Sequence, residues 1–194
     1  MNKSIKCMAA VLHDMGLPRP FSKSKPVKIE EIEVDPPGFG EVLIKVSAAG
    51  LCHSDLSVVN GNRPRAMPMV LGHEGSGVVA SLGEGVDDFE IGDHVVFVFV
   101  PSCGNCIPCK EGRPALCDPG LAAGGAGTLL SGEKRFRLNG DLINHQVGVS
   151  CFSEFTVVSS KSLVKVEKSL PLDEAALFGC AVITGAGAVF NTAN

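Results

Sequence analysis

Cys52-His53-Ser54-Asp55 and Gly72-His73-Glu74-Gly75-Ser76-Gly77 are the two motifs that decide how this chain must fold. Their thiol and imidazole are too far apart in sequence to meet on one helix, so a shared ion requires the chain to return past itself. Cys52 stands at a predicted helix start, where the helix dipole favours the thiolate that a metal needs. The small residues around His73 allow the backbone to approach a buried ion. Together the motifs predict a Zn²⁺ site.

Cys180, in Phe178-Gly179-Cys180-Ala181, is the candidate third ligand, since the other cysteines have different explanations. A lone cysteine in an apolar run is more often a packing residue, but the Gly-His-Glu context favours the ligand set. Two cysteines and one histidine, with a fourth position left to water, are typical of a catalytic zinc, whereas four protein ligands are typical of a structural zinc.

Composition narrows the class of protein. Apolar residues make up 45% of the 194 residues and the net charge is −4, which predicts a soluble globular protein and argues against nucleic-acid binding. Long apolar runs are absent and Met1 to Lys6 is polar, so we expect neither a membrane span nor a secretory signal. The expected location is therefore the cytoplasm.

Eight cysteines without a predicted signal peptide indicate metal binding rather than disulfides. Four of them form the cluster Cys103-x2-Cys106-x2-Cys109-x7-Cys117. Four thiolates in so short a lobe can close a tetrahedron around a structural zinc, and an iron–sulfur site is the alternative. Cys7 and Cys151 are predicted to be packing residues on strands. The remaining histidines are interpreted as surface or hydrogen-bonded residues: His13, His94 and His145.

Along most of the chain, the residue pattern predicts short strands separated by Gly/Pro turns. This pattern favours a mainly β fold, either a sandwich or a partly open barrel with short helices, over repeated βαβ units. Besides the helix predicted to start at Cys52, helices are expected near the end, at 171–177 and 183–193. The stretch from Pro119 to Gly140 is predicted to be a long loop, with Lys134 to Arg137 solvated. The predicted strands cover residues 9–13, 27–34, 41–48, 77–82, 95–100, 152–158 and 163–166.

The motifs together resemble a known family, the catalytic, chaperonin-10-like domain of zinc-dependent alcohol dehydrogenases in the medium-chain dehydrogenase/reductase superfamily. The resemblance rests on Gly72-His73-Glu74-x2-Gly77, on the four-cysteine lobe and on Gly179-Cys180-x3-Thr184-Gly185-x-Gly187-Ala188. It covers nearly the whole chain. The long loop is similar to that of the branch containing glutathione-dependent formaldehyde dehydrogenases and aryl-alcohol dehydrogenases.

The resemblance implies a role for each matching residue. Catalytic zinc would be held by Cys52, His73 and Cys180, and structural zinc by Cys103, Cys106, Cys109 and Cys117. Asp55 would orient His73, Glu74 would lie near the ion, and Ser54 would accept the alcohol proton. Cofactor contacts would come from His53 and Thr184, and the substrate pocket would include Phe99, Arg63, Gln146 and Val147.

Three departures from the family pattern concern the proton relay and the pocket. Ser57 stands where many relatives carry a relay histidine, so proton release beyond Ser54 must use another group or water. Arg63 replaces an apolar or small residue, and Gln146 replaces a common aromatic. We therefore expect a pocket that tolerates a polar or anionic substrate group.

The family's nucleotide-binding domain is expected to begin after Asn194, and no strand followed by Gly-x-Gly-x-x-Gly occurs in this sequence. We expect residues 1–172 to form the chaperonin-10-like catalytic domain, with a structural zinc lobe at about 101–119. Residues 173–194 would form a helical segment that carries the third ligand and leads to the absent Rossmann domain. The chain is interpreted as a fragment, inactive by itself, and a natural short chain is the alternative.

The resemblance implies a zinc-dependent alcohol dehydrogenase that transfers hydride between a primary or aromatic alcohol or aldehyde and NAD or NADP, with two Zn²⁺ per chain. Small alcohols or aldehydes are the expected partners, without nucleic acid or membrane, and the full-length protein would form a homo-oligomer. The alternatives are a glutathione-dependent formaldehyde dehydrogenase, a polyol dehydrogenase of the same superfamily, or a non-catalytic zinc-binding module.

Overall fold

The computed structural model describes residues 3–193, so the outermost positions of the predicted domains, Met1, Asn2 and Asn194, lie outside the described residues. The strands are β1 Ile5–Leu12, β2 Val27–Val34, β3 Glu41–Gly50, β4 Met69–Val70, β5 Glu74–Leu82, β6 His94–Phe97, β7 Phe136–Leu138, β8 Asp141–His145, β9 Phe155–Ser159 and β10 Leu163–Val166. The α-helices are α1 Phe21–Ser24, α2 His53–Val59, α3 Ile107–Lys110, α4 Asp118–Ala126, α5 Leu172–Ala175 and α6 Ala181–Asn191.

The strands form two sheets. Strands β1, β2, β7, β8 and β4 close into a small barrel, in which only the β4–β8 pair is parallel. The second sheet is antiparallel and open, with the order β10-β6-β5-β3-β9. The predicted mainly β class with short helices is confirmed, and its open part is the second sheet.

Strand β3 lies between two hydrophobic cores. Leu43 packs with the barrel core around Val11, while Val42 and Ile44 pack with the second core around Phe97. The alternation in this strand predicts one buried face, and that expectation is wrong for its first half, which is buried on both faces. Burial from both sides makes β3 a rigid support for whatever follows its end.

The predicted long loop between Pro119 and Gly140 is wrong, because α4 and β7 lie within it. Glycine disfavours helices, yet close packing requires a glycine at one position of α4 and leaves little room at another. A Cβ at Gly120 would lie 2.3 Å from the Pro101 carbonyl oxygen, and Gly124 is buried against Val147. Contacts with distant segments therefore outweigh the local preference.

The basic residues after this helix are not simply solvated. Arg135 donates to the buried Glu41 carboxylate at 2.7 Å, and Arg137 donates to Asp35 at 2.9 Å. The expectation of a solvated Lys134 to Arg137 stretch is wrong at these two arginines. Glu41 needs such a partner because an unpaired buried carboxylate is strongly destabilising.

Within residues 3–193, no single helix is long and apolar enough to cross a membrane. Only the pair of helical segments Leu172–Gly179 and Ala181–Asn191, bent by 54° at its break, reaches that length and hydropathy together.

His145 is fully buried at the end of β8, where its ring stacks on Phe136. Its Nε2 accepts a hydrogen bond from the Arg135 backbone N–H at 3.1 Å, and its Nδ1 has no partner among the described residues. Burial lowers the pKa of His145 to about 3, with a smaller contribution from the charges of Lys134 and Arg135. The ring is therefore neutral in the folded protein.

We predict that stability falls as pH drops below 6.5, the ordinary pKa of this histidine. Below that pH the unfolded chain binds a proton at His145 that the folded chain does not bind. The loss in the free energy of unfolding therefore reaches about 2 kcal/mol by pH 5 and continues toward pH 3. Urea unfolding at pH 7.5 and pH 5 measures it. His145→Gln should show a loss smaller by about that amount. Equal pH dependence in His145→Gln and the wild type would contradict the prediction.

Candidate functional site

The pairing of β3 with β5 brings Cys52 and His73 together. Gly50, the last residue of β3, lies opposite Glu74, the first residue of β5. Cys52 follows the end of one strand and His73 precedes the start of its neighbour, so both emerge at the same end of the sheet. Close strand packing needs glycine here, since a Cβ at Gly77 would lie 2.5 Å from Ile44 and from the Lys45 carbonyl oxygen.

Cys180 reaches this end of the sheet from the helical segment near the end of the chain. It lies between the 3₁₀ turn Ala176–Gly179 and α6. The turn packs directly on the sheet, since a Cβ at Gly179 would lie 2.0 Å from the Phe97 carbonyl oxygen. Glycine at this position therefore sets the distance at which Cys180 meets the other two residues.

The three side chains meet at one point. The Sγ atoms of Cys52 and Cys180 are 3.9 Å apart, and Cys180 Sγ is 3.6 Å from His73 Nε2. All three ligand atoms lie within 4.8 Å of one another. Tetrahedral zinc, with bonds of about 2.0–2.3 Å, needs ligand atoms at about these separations. The residues present therefore fit a zinc ion with one coordination position free of protein, although their role as ligands stays a prediction.

Asp55 holds two of the three residues in place. Its Oδ1 accepts a hydrogen bond from His73 Nδ1 at 2.8 Å, which turns Nε2 of the ring toward the cysteines. Its Oδ2 accepts from the Cys52 backbone N–H at 3.0 Å, while Cys52 Sγ accepts from the Ser54 N–H at 3.5 Å. This is a capping box at the start of α2 in which the cysteine serves as the N-cap.

The electrostatics of the cluster favour a cation. Burial works to raise the pKa of Cys52, but hydrogen bonds from Ser54 and Cys180 and the nearby His73 bring it below the ordinary value. Burial and then the charge of Cys52 raise the pKa of Cys180 to about 12. One thiolate thus suppresses the other at this distance, and a positive ion between them would stabilise both.

The structure places Glu74 beside the cluster rather than in it. Its carboxylate is buried, packs against Gly50 and accepts a hydrogen bond from the Ala181 N–H at 3.0 Å. It therefore connects β5 to the start of α6, the helix that follows Cys180.

A cavity of about 870 Å³ opens next to the cluster. Its wall includes all three candidate ligands. It also includes the predicted proton acceptor Ser54, the predicted cofactor residue Thr184 and the predicted pocket residues Arg63, Phe99, Gln146 and Val147. His53 is not part of this wall; it is exposed, and its Nδ1 lies 3.4 Å from Ser57 Oγ. Wall residues absent from the sequence-based set include Val58, Arg65, Val100 and Leu121. Leu121 lies on the helix that was expected to be a loop, and no local signal marks it.

Gln146 has its amide in the wall of the cavity. Nε2 donates to Asp55 Oδ1 at 2.8 Å, and Oε1 accepts from the Gly72 N–H at 2.5 Å. Gln146 therefore supports Asp55 through the carboxylate oxygen that also binds His73, whereas the other oxygen binds the helix cap. Both ends of the amide have protein partners, so its main contribution is to the cluster's geometry.

The second cysteine cluster forms a separate lobe. Sγ atoms of Cys103, Cys106, Cys109 and Cys117 all lie within 4.8 Å of one another. Cys117 Sγ accepts the Cys103 N–H, and Cys103 Sγ accepts the N–H groups of Asn105 and Cys106. The backbone hydrogen bonds from Asn105 and Cys106 are first among the causes that lower the pKa of Cys103 to about 6. Four converging thiols fit one zinc ion with no position left for a substrate.

The comparisons with known proteins agree with this architecture. Residues 38–168 match the family described as the alcohol dehydrogenase GroES-like domain. The chain therefore belongs to the GroES-like domain family of alcohol dehydrogenases, as its motifs predicted.

The chain is similar to the following three known proteins. Alcohol dehydrogenase class-3 of Drosophila melanogaster is 43% identical, over 98% of this chain and 48% of the relative. S-(hydroxymethyl)glutathione dehydrogenase of Synechocystis sp. is 42% identical, over 97% of this chain and 49% of the relative. The crystal structure of an alcohol dehydrogenase zinc-binding domain protein from Burkholderia ambifaria has a TM-score of 0.87 and 34% identity, covering 97% of this chain and 49% of that one. The chain thus spans about half the length of the curated relatives it matches.

We predict that the two clusters bind zinc independently. The lobe exposes Ile107 and Leu116, so little apolar burial holds it together without an ion. Cys106→Ala should lower the zinc content from two to one per chain and speed protease cleavage within 101–119. Cys180→Ala should also lose one zinc but leave the lobe resistant to protease cleavage. Cys7→Ala, which removes a buried thiol outside both clusters, should retain two. Loss of both ions in either single cluster variant would contradict independence.

We predict that Gln146→Leu destabilises the protein by about 1–3 kcal/mol, because the buried Gly72 N–H and one oxygen of Asp55 lose a partner. Gln146→Glu should cost at least as much, since it sets a second carboxylate against Asp55. Urea unfolding measures both, and Asn62→Leu at an exposed amide is the control. Wild-type stability in Gln146→Leu would show that the amide is not a support for Asp55.

Proposed function

We propose that this chain is the catalytic part of a zinc-dependent alcohol dehydrogenase that transfers hydride between a primary or aromatic alcohol, or its aldehyde, and NAD or NADP. The single observation that carries the proposal is the convergence of Cys52, His73 and Cys180 at the edge of an 870 Å³ cavity. A zinc ion in that position supplies Lewis-acid activation of the alcohol oxygen.

The chain's own residues have distinct roles in this proposal. Asp55 keeps the His73 ring turned toward the cysteines and fixes the backbone of Cys52. Ser54, half-buried in the cavity wall and next to Cys52 in the helix start, receives the alcohol proton at its Oγ. Phe99 covers His73 edge-on at 5.4 Å between ring centroids, which limits access of water to the cluster.

Thr184, at the cavity edge on α6, contacts the nicotinamide, and His53 faces the cofactor pyrophosphate from the exposed start of α2. Ser57 does not extend a relay from Ser54, because its Oγ donates to the His53 carbonyl oxygen at 3.0 Å. The proton then leaves Ser54 through water. We also propose two zinc ions per chain, a cytoplasmic location that keeps the eight thiols reduced, and a homo-oligomer for the full-length protein.

A glutathione-dependent formaldehyde dehydrogenase is the second candidate. The relationship to S-(hydroxymethyl)glutathione dehydrogenase of Synechocystis favours it, and so do the arginines in the cavity wall. A non-catalytic zinc-binding module is the candidate from another class, and absence of turnover in the natural full-length protein would favour it.

The proposal is tested on the natural protein that carries this chain, by following NAD⁺ and NADP⁺ reduction across primary, aromatic, polyol and glutathione-adduct alcohols. Ser54→Ala should keep its zinc and lower kcat by about 10²-fold or more, because the proton loses its acceptor. Cys52→Ala should lose both catalytic zinc and turnover. Ser47→Ala, an exposed serine on β3, is the control. Undiminished turnover after loss of Cys52 would refute the proposal.

A further inference from the structure

Two arginines, Arg63 and Arg65, line the cavity beside the candidate metal cluster. The lining formed by the described residues includes no aspartate or glutamate, and none of the ion pairs within residues 3–193 involves either arginine. Two positive side chains thus face a cavity that supplies no carboxylate of its own. The buried acids nearby, Asp55 and Glu74, already bind His73, Gln146 and the Ala181 N–H.

Arg63 is close to the reacting end of the cavity. Its Nη1 lies 3.4 Å from Ser54 Oγ, and the Ser54 N–H lies 3.5 Å from Cys52 Sγ. Its backbone N–H donates to the Ser57 carbonyl oxygen at 2.9 Å, which ties the arginine to the end of α2. Arg65 is half-buried and spends one N–H on the Pro64 carbonyl oxygen at 3.2 Å, so its other donors remain available to the cavity.

Guanidinium groups have a planar fork of donors that matches a carboxylate, and a pair of them favours an anion over a neutral group of the same shape. The same cavity wall also has apolar residues, with Val58, Phe99 and Val147 among them. A ligand that fits both features has a negative end, a short apolar spacer and an alcohol.

We propose that Arg63 and Arg65 form a carboxylate subsite, and that the substrate is an alcohol that carries a carboxylate across a short apolar spacer. This rests on the proposed function and narrows its substrate class. In this arrangement the carboxylate binds Arg63 and the reacting hydroxyl binds Ser54 Oγ, each at hydrogen-bond distance. Adding those two distances to the 3.4 Å between Arg63 and Ser54 limits the separation of carboxylate and reacting hydroxyl to about 9 Å. A hydroxymethyl benzoate or an ω-hydroxy acid of about six carbons meets that limit.

Calorimetric titration of the zinc-loaded natural protein that carries this chain, without NAD(P)⁺, tests the subsite without turnover. The probes are 4-(hydroxymethyl)benzoate and its neutral isostere 4-(hydroxymethyl)benzamide. The anion should bind at least about tenfold more tightly, the ratio expected for a charge-assisted pair. Arg63→Gln and Arg65→Gln should each reduce that ratio, and the double variant should abolish it. Arg19→Gln, an exposed arginine outside the cavity wall, should leave it unchanged.

Equal affinity for the two probes would overturn the inference, and so would a wild-type ratio in the double variant. Zinc content and alcohol-dependent NAD(P)⁺ reduction report separately on the proposed function, so either idea can fail while the other stands. Competition by S-methylglutathione would identify a peptide carboxylate as the occupant, and displacement only by the benzoate would identify a simple hydroxy acid. Both results require the two arginines.

Discussion

The antiparallel pairing of β3 with β5 is the constraint on which the rest of the site depends. It sets Gly50 opposite Glu74 and thereby makes two motifs that are distant in sequence into neighbours in space. Because the first half of β3 is buried between two cores, the strand is anchored to both the barrel and the second sheet. Cys52 and His73, the two candidate ligands, are thus placed by packing that extends through both halves of the fold.

Asp55 converts this approximate placement into a defined geometry. One carboxylate oxygen binds the His73 ring and the Gln146 amide, and the other binds the Cys52 backbone. A single buried acid therefore orients one candidate ligand near each of two strand ends, and Gln146 supports it from a third segment. Such a network is stable only when every member is satisfied, and a cation among the thiols would balance the remaining negative charge.

Glycine has a steric role where the segment before Cys180, the third candidate ligand, packs on the sheet. At Gly179 any side chain would collide with the Phe97 carbonyl oxygen, so the turn before Cys180 could not rest on the sheet. The same kind of contact explains Gly120 in α4, whose helix closes the side of the cavity. In both cases the glycine is needed for a contact between distant segments, and in α4 the local helix propensity would have argued against it.

The sequence by itself determined the chemistry of this protein: which thiols and which imidazole are available, their division into a set of three and a set of four, and most of the strands that carry them. Those features are local, since residue type, spacing and alternation can be seen within short windows. Tertiary structure alone decided that α4 forms within a glycine-rich stretch, that the Gln146 amide supports Asp55, and that Arg63 reaches Ser54. These depend on contacts between segments far apart in the chain, which no periodicity within one segment records.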